Sequence, residues 1–180
     1  MTLQTPIYLD NHATTRCDPV VLEHMLPYFS EIYGNAASRT HRFGFEAKAA
    51  VELARECVAN LIQSSPKEIL WTSGATEANN LALRGAAEGM LANGKHIVIS
   101  QIEHKSVIDT ADFLESQGWA VSRIQPDTTG IVSAQSIIEA FTTNTTVVSL
   151  MLANNEVGTL NPIHEIGDLC VKYNAYFHTD

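Results

Sequence analysis

The chain has 180 residues, 45% apolar and 17% charged, which fits one ordinary globular domain or a large part of one and excludes a disordered chain. Its formal charge is −9 with only 11 Lys and Arg, scattered along the sequence, which excludes the basic face of a nucleic-acid binder. No apolar run reaches the roughly 18 residues of a membrane helix, and the opening MTLQTPIYLD lacks the basic end and apolar stretch of a secretion signal, so no membrane partner is expected and the cytoplasm is the default compartment.

Residues 1–15 read as an extended N-terminal arm. DPVVLEHMLPYFSEI then opens a helix with Asp18 as cap and Pro19 at the first helical position, and Pro27 bends or ends it. HRFGFEAKAAVELARECVANLI is a longer helix whose Val51, Ala54, Val58, Leu61 and Ile62 fall on one face. From there strands and helices alternate. EILWTS is a strand, and ATEANNLALRGAAEGMLA a helix ending near Gly94. HIVIS is a strand, and SVIDTADFLESQ a helix stopping at Gly118. WAVSRIQ is a strand, and SAQSIIEAF a helix capped by Ser133. TVVSLML is a strand, PIHEIGDLCVKY a helix begun by Asn161-Pro162, and AYFHT a last strand. Continuous apolar strands separated by helices predict an α/β fold: a mostly parallel central sheet flanked by helices.

Three cysteines, Cys17, Cys57 and Cys170, are odd in number and form no CxxC pair, which excludes a disulfide framework and predicts no metal site. Cys57 and Cys170 sit in helical patterns and are expected as small buried hydrophobes.

Ligands of open parallel sheets bind beyond the carboxyl ends of the strands. After EILWTS comes Gly74-Ala75-Thr76; after HIVIS, Glu103-His104; after TVVSLML, Asn154-Asn155; after AYFHT, Asp180. The segment TSGATEANN runs strand, glycine turn, helix. Its free helix N–H groups suit an anion, typically a phosphate, although Ser73 or Thr76 could simply cap the helix. There is no Walker loop and no GxGxxG, which argues against a dinucleotide enzyme. Taken singly, His104 reads equally as an ordinary hydrogen-bonded residue and Asn155 as turn chemistry. A carboxylate in a partly buried crevice, such as Asp180, asks for a cation or donors. As a set, the four strand ends suit pyridoxal 5′-phosphate, which needs a phosphate cradle, a ring over its face, a donor at its phenolic oxygen and an acid at its pyridinium nitrogen.

The sequence resembles the cysteine desulfurases of the NifS/IscS type, in the class V aminotransferase family of fold-type I pyridoxal-phosphate enzymes. The resemblance rests on IYLDNHATT (7–15), GNAASRTHRFG (34–44), TSGATEANNLAL (72–83), EHKSV (103–107), NNEVGTLNPI (154–163) and FHTD (177–180), in that order. It implies that residues 1–180 are the N-terminal part of the family's large domain. It implies that Ala75 and Thr76 hold the cofactor phosphate, that His104 stacks on the ring and takes part in proton transfer, that Asn155 bonds near the phenolic oxygen and that Asp180 pairs with the ring nitrogen. It further implies a homodimer and sulfur-acceptor or scaffold proteins as partners. The family reaction takes sulfur from L-cysteine, leaving L-alanine and an enzyme persulfide for iron–sulfur clusters or thio-modification. Ala36 stands where the family usually has Pro. The family's cofactor-binding lysine and its persulfide cysteine come later than Asp180, so this chain alone is expected to be inactive; Lys105 and the three cysteines do not match them. The same resemblance leaves open a selenocysteine lyase or another class V enzyme, and a non-catalytic scaffold or split subunit derived from a desulfurase.

Overall fold

The computed structural model describes residues 5–180; the first four residues of the expected arm, also part of the leader reading, lie outside the described residues. The chain divides into two compact units, Met1–Trp71 and Thr72–Asp180.

In the first unit residues 5–17 form neither helix nor strand; the Tyr8 hydroxyl donates to the Asp10 carbonyl (2.8 Å), and His12 Nδ1 lies 2.8 Å from the Asp10 carboxylate. Helix α1 (Pro19–Met25) starts as its sequence dictates, with the Asp18 carboxylate accepting the Val20 N–H at 2.8 Å. Pro27 ends it and opens the single turn α2 (Pro27–Ser30). His41 caps α3 (Arg42–Leu61), Nδ1 accepting the Gly44 N–H at 3.2 Å. Gly34 and Gly44 are required for close approach: a Cβ at either would strike the backbone of Phe43 or of Ser38.

Three expectations are corrected in this unit. The stripe proposed for α3 does not bury as one face: Ala47 and Ala59 are buried, whereas Leu61 is 82% exposed in the last turn and Ile62 lies beyond it. Cys57 is exposed rather than buried. EILWTS is not a strand. Residues 69–71 run without strand partners among the described residues, the Ile69 carbonyl accepts from the Arg55 guanidinium, and that guanidinium sits 5.6 Å from the Trp71 ring. A short apolar run becomes a strand only where a neighbouring chain meets its N–H and C=O groups, and here a side chain does so.

The second unit is a three-layer α/β sandwich. Helices α4 (Ala75–Gly89) and α5 (Lys105–Ser116) alternate with β1 (His96–Ser100) and β2 (Ala120–Ile124); α6 (Ala134–Ala140), β3 (Thr145–Ser149), α7 (Ile163–Lys172) and β4 (Tyr176–His178) follow. All pairings are parallel, in the order β2-β1-β3-β4, with Ile97 opposite both Val121 and Val147 and Val148 opposite Phe177. The two central strands are buried at every residue, which is why HIVIS reads as an unbroken apolar run. Alternation then sorts the faces. Ile97, Ile99 and Val147 pack with Leu83, Ala87, Val107, Ala111 and Leu114 of α4 and α5. Val98 and Val148 pack with Ile137, Ile166 and Cys170 of α6 and α7.

Two boundaries differ from expectation. Helix α4 stops at Gly89, five residues short of Gly94, and a 3₁₀ turn (Leu91–Asn93) fills the gap. Asn161 does not cap α7; its carboxamide is buried, accepting the Val132 N–H and donating to the Met151 carbonyl, both at 2.9 Å. Ser133 caps α6 as expected, accepting the Ser136 N–H at 3.1 Å. Among the described residues no helix is long and apolar enough to cross a membrane.

Candidate active site

The chain leaves β1 through α5 to β2, then returns across β1 to reach β3 on its other side. Strand order therefore reverses between β1 and β3, which opens a crevice at their carboxyl ends, where open α/β sheets take their ligands. A cavity of about 390 Å³ lies there, lined by the residues that follow β1, Gln101 to Lys105, and those after β3, Asn154 to Val157. His104 and Asn155 both line it.

Its walls are tied by side chains that meet backbone groups across the switch point. Asn154 donates Nδ2–H to the Ile102 carbonyl (2.7 Å) and accepts the Glu156 and Val157 N–H groups at 2.9 Å each. That anchorage turns the chain so that the next residue, Asn155, is exposed. Glu103 Oε1 accepts the Met151 N–H at 2.9 Å, while its buried Oε2 has no partner among the described residues. Burial lifts the Glu103 carboxyl to about 7, against the pull of the Met151 N–H, and the nearby Asp180 charge pushes the same way.

Asp180 comes two residues after β4. Its neighbours are fixed: Thr179 Oγ1 accepts the Leu152 N–H at 3.2 Å, and His178 Nδ1 lies 2.8 Å from Ser149 Oγ. Burial holds the His178 imidazole below its ordinary range, and Asp180 opposes this.

Helix α4 brings its first turn to the same end. Asn79, one turn in, donates to Ser106 Oγ in the first turn of α5 at 2.8 Å, and α5 begins where β1 ends. The start of α4 is uncapped. Gly74 supplies no side chain, the Thr76 hydroxyl makes no hydrogen bond among the described residues, and Ser73 donates instead to Glu77 (N–H 2.7 Å, hydroxyl 2.5 Å). Neither Ser73 nor Thr76 caps the helix. The N–H groups of Ala75, Thr76 and Glu77 meet no acceptor among the described residues, and a Cβ on Gly74 would meet nothing within 4 Å.

Of the five expected residues, Ala75 and Thr76 are at a free helix start, and His104 and Asn155 line one cavity. Asp180, the fifth, lies two residues past β4, the strand beside β3. Sequence reasoning gave no role to Glu103, Asn154, Asn79 or Ser106. The available signal was their position inside the motifs, beside or one turn from the residues that were chosen. Cys170 is buried, as expected, and burial pushes its thiol up to about 11. Lys105 is on the surface of α5, paired with Asp109 at 2.6 Å.

These features place the molecule among open α/β proteins whose ligand site is assembled from strand ends and helix starts. The Aminotransferase class-V family model matches residues 7–180, and the chain belongs to that family. It is 51% identical, over 99% of its length, to a protein named cysteine desulfurase IscS from Anaeromyxobacter sp. (strain K), of which it covers 44%. It is 47% identical over 97% of its length to a mitochondrial cysteine desulfurase from Drosophila melanogaster, covering 38% of that protein. Among solved structures, a NifS-like protein superposes with a TM-score of 0.90 at 39% identity, over 97% of this chain and 48% of that one. A structure titled SspA in complex with cysteine gives 0.89 at 39% identity, over 96% and 50%. The chain spans half or less of the length of each of these proteins.

The family's members depend on pyridoxal phosphate. The residues present fit that group: an uncapped helix start with open space before it for the phosphate, a strand-end carboxylate for the ring nitrogen, and a cavity walled by an imidazole and an amide.

Proposed function

We propose that this chain forms the cofactor-facing, amino-terminal part of a pyridoxal-phosphate-dependent cysteine desulfurase, which takes sulfur from L-cysteine and leaves L-alanine. The observation that carries the proposal is what gathers at one end of the sheet: a free helix start, His104 and Asn155 on the switch-point cavity, and Asp180, whose charge reaches Glu103 of the cavity wall. When bound, the cofactor supplies an electron sink. The rest is done by this chain's backbone and side chains. The N–H groups of Ala75 and Thr76, with the Thr76 hydroxyl, bind the phosphate. Asp180 holds a proton on the ring nitrogen, His104 covers the ring face and offers its imidazole for proton movement, and Asn155 donates near the phenolic oxygen.

In this reading residues 1–180 belong to the enzyme's large domain and turn nothing over by themselves. The pairing of Lys105 with Asp109 and the burial of Cys170 support this reading. Pairing with a second copy and delivery of persulfide sulfur to acceptor proteins for iron–sulfur clusters follow from the same reading.

The test is equilibrium dialysis of the chain against pyridoxal phosphate and, separately, pyridoxal, followed by a sulfide and alanine assay with L-cysteine. The expected result is binding that favours the phosphorylated form, with no sulfide from these 180 residues. Equal or absent binding of both compounds would overturn the site, and sulfide release would overturn the claim of inactivity.

A further inference from the structure

One interaction near the cavity is unused by the reading above. Ser106, in the first turn of α5, is 5% exposed, and its hydroxyl has two neighbours. Asn79 Nδ2 donates to Oγ at 2.8 Å, and His104 Nδ1 lies 2.8 Å away on the other side. The backbone N–H of Ser106 also reaches His104 Nδ1, at 3.2 Å. A backbone N–H can only donate, so Nδ1 must accept. An Asn amide N–H also only donates, so Oγ accepts from Asn79 and spends its single proton on Nδ1 as well. Two donors therefore converge on one ring nitrogen, and the neutral imidazole must carry its hydrogen on Nε2, which meets no acceptor among the described residues.

We propose that Ser106, held by Asn79, is a positioning residue that locks His104 in the Nε2–H form and so presents a hydrogen-bond donor, not an acceptor, to whatever the cavity binds. The ligand atom that meets this nitrogen is then an acceptor: a carboxylate, thiolate or phenolate oxygen or sulfur. A base at Nε2 would require the other form, which sets the Nδ1 hydrogen against the Ser106 N–H. The identity of the facing ligand rests on the function proposed above, whereas the imidazole form does not.

The experiment is NMR of the full chain labelled with ¹⁵N in its histidines, read at neutral pH with and without pyridoxal phosphate. The two His104 nitrogens are assigned by comparison with a His104→Gln variant. The expected spectrum has an unprotonated Nδ1 and a protonated Nε2, with an Nδ1–H fraction well below that of a free histidine peptide. Ser106→Ala should raise that fraction by about tenfold, the weight of one net hydrogen bond, and Ser106→Thr should restore it. Asn79→Asp is the isosteric control. Its carboxylate accepts the Ser106 proton, so Oγ turns acceptor and draws the hydrogen onto Nδ1. A wild-type Nδ1–H fraction equal to that of the peptide, or no change in both Ser106→Ala and Asn79→Asp, would overturn the proposal. Should pyridoxal phosphate fail to bind while these shifts appear, the proposed function falls and the positioning role stands.

Discussion

Glu103 and Met151 join the two central strands at the site: the carboxylate three residues past β1 accepts the backbone N–H just past β3 at 2.9 Å, and its second oxygen is buried without a partner among the described residues. One half of this carboxylate is satisfied and the other is not, so its charge is costly.

The first prediction follows from that cost. The Glu103 carboxyl is raised from 4.5 to about 7 in the folded chain, mainly by burial. Between those values the folded state holds a proton that the unfolded state has released. The contribution of Glu103 is therefore fully present below 4.5 and is lost as pH rises through about 7. Glu103→Gln keeps an acceptor for Met151 and removes the charge. It should stabilise the fold by about 2 kcal/mol at pH 8 and change little at acid pH. Urea denaturation at the two pH values checks this; an equal effect at both would contradict it.

At the opposite end of the sheet the sign reverses. His96 bridges Thr145 Oγ1 (2.7 Å) and Ser122 Oγ (2.9 Å), and burial lowers its imidazole from 6.5. The unfolded chain then binds the proton first, so stability should fall as pH drops through 6.5 and below. In His96→Gln the acid slope should shrink, at a cost of about 1–2 kcal/mol at neutral pH from the lost hydrogen bonds. Denaturation midpoints at pH 5.5 and 7.5 give the comparison.

Gly74 offers a test in which two readouts move apart. Its φ of 164° is extended backbone open to any residue, and a side chain there meets nothing within 4 Å. Gly74→Asp should cap α4 and raise stability by about 1 kcal/mol. The same carboxylate would occupy the free N–H groups and repel a phosphate, weakening pyridoxal phosphate at least tenfold, about the worth of a charge-assisted hydrogen bond. Higher stability with unchanged cofactor affinity would show that the phosphate sits elsewhere.

Asp180→Asn should weaken pyridoxal phosphate by about 10- to 100-fold, the range of a hydrogen bond to a charged group. The fold should be preserved, because Thr179 and His178, not Asp180, hold the chain to β3. Dialysis alongside a thermal melt separates the two effects.

Thiol chemistry supplies a fifth check. Cys170, buried and raised to about 11, should resist iodoacetamide at pH 8 until the chain unfolds, whereas the exposed Cys17 and Cys57 react in the native state. Mass spectrometry of timed alkylations reads this, and rapid native labelling of Cys170 would contradict the packing of α7.

The second unit was legible because its two central strands are buried on both faces and its helices carry their stops in the sequence. HIVIS could hardly be anything but a central strand, and Gly118 at φ 84° marks the turn after α5. EILWTS misled because apolar content is local, whereas strand pairing depends on a neighbour that pattern cannot reveal. The α3 stripe misled similarly: periodicity names a face, and which face is covered is a tertiary fact. At the site, residues that project from strand ends could be found by position alone. Glu103, Asn154 and Ser106 could not, since their work is to bond backbone and side chains far away in sequence, Glu103 to Met151 and Ser106 to Asn79.

The strand order carries a consequence for assembly. β1 is the first strand of the sheet in the chain yet lies inside it, with Ile97 waiting first for Val121 and then for Val147. Each addition closes a long crossover before any ladder bond repays it, so non-local contacts set the pace. Among the described strands the sheet grows outward from β1, with β4 joining onto β3 after β3 is in place. Asp180 follows two residues behind β4. A nascent chain would carry the helix start and the imidazole of its ligand site well before the Asp180 carboxylate, and binding would report that β4 has joined the sheet.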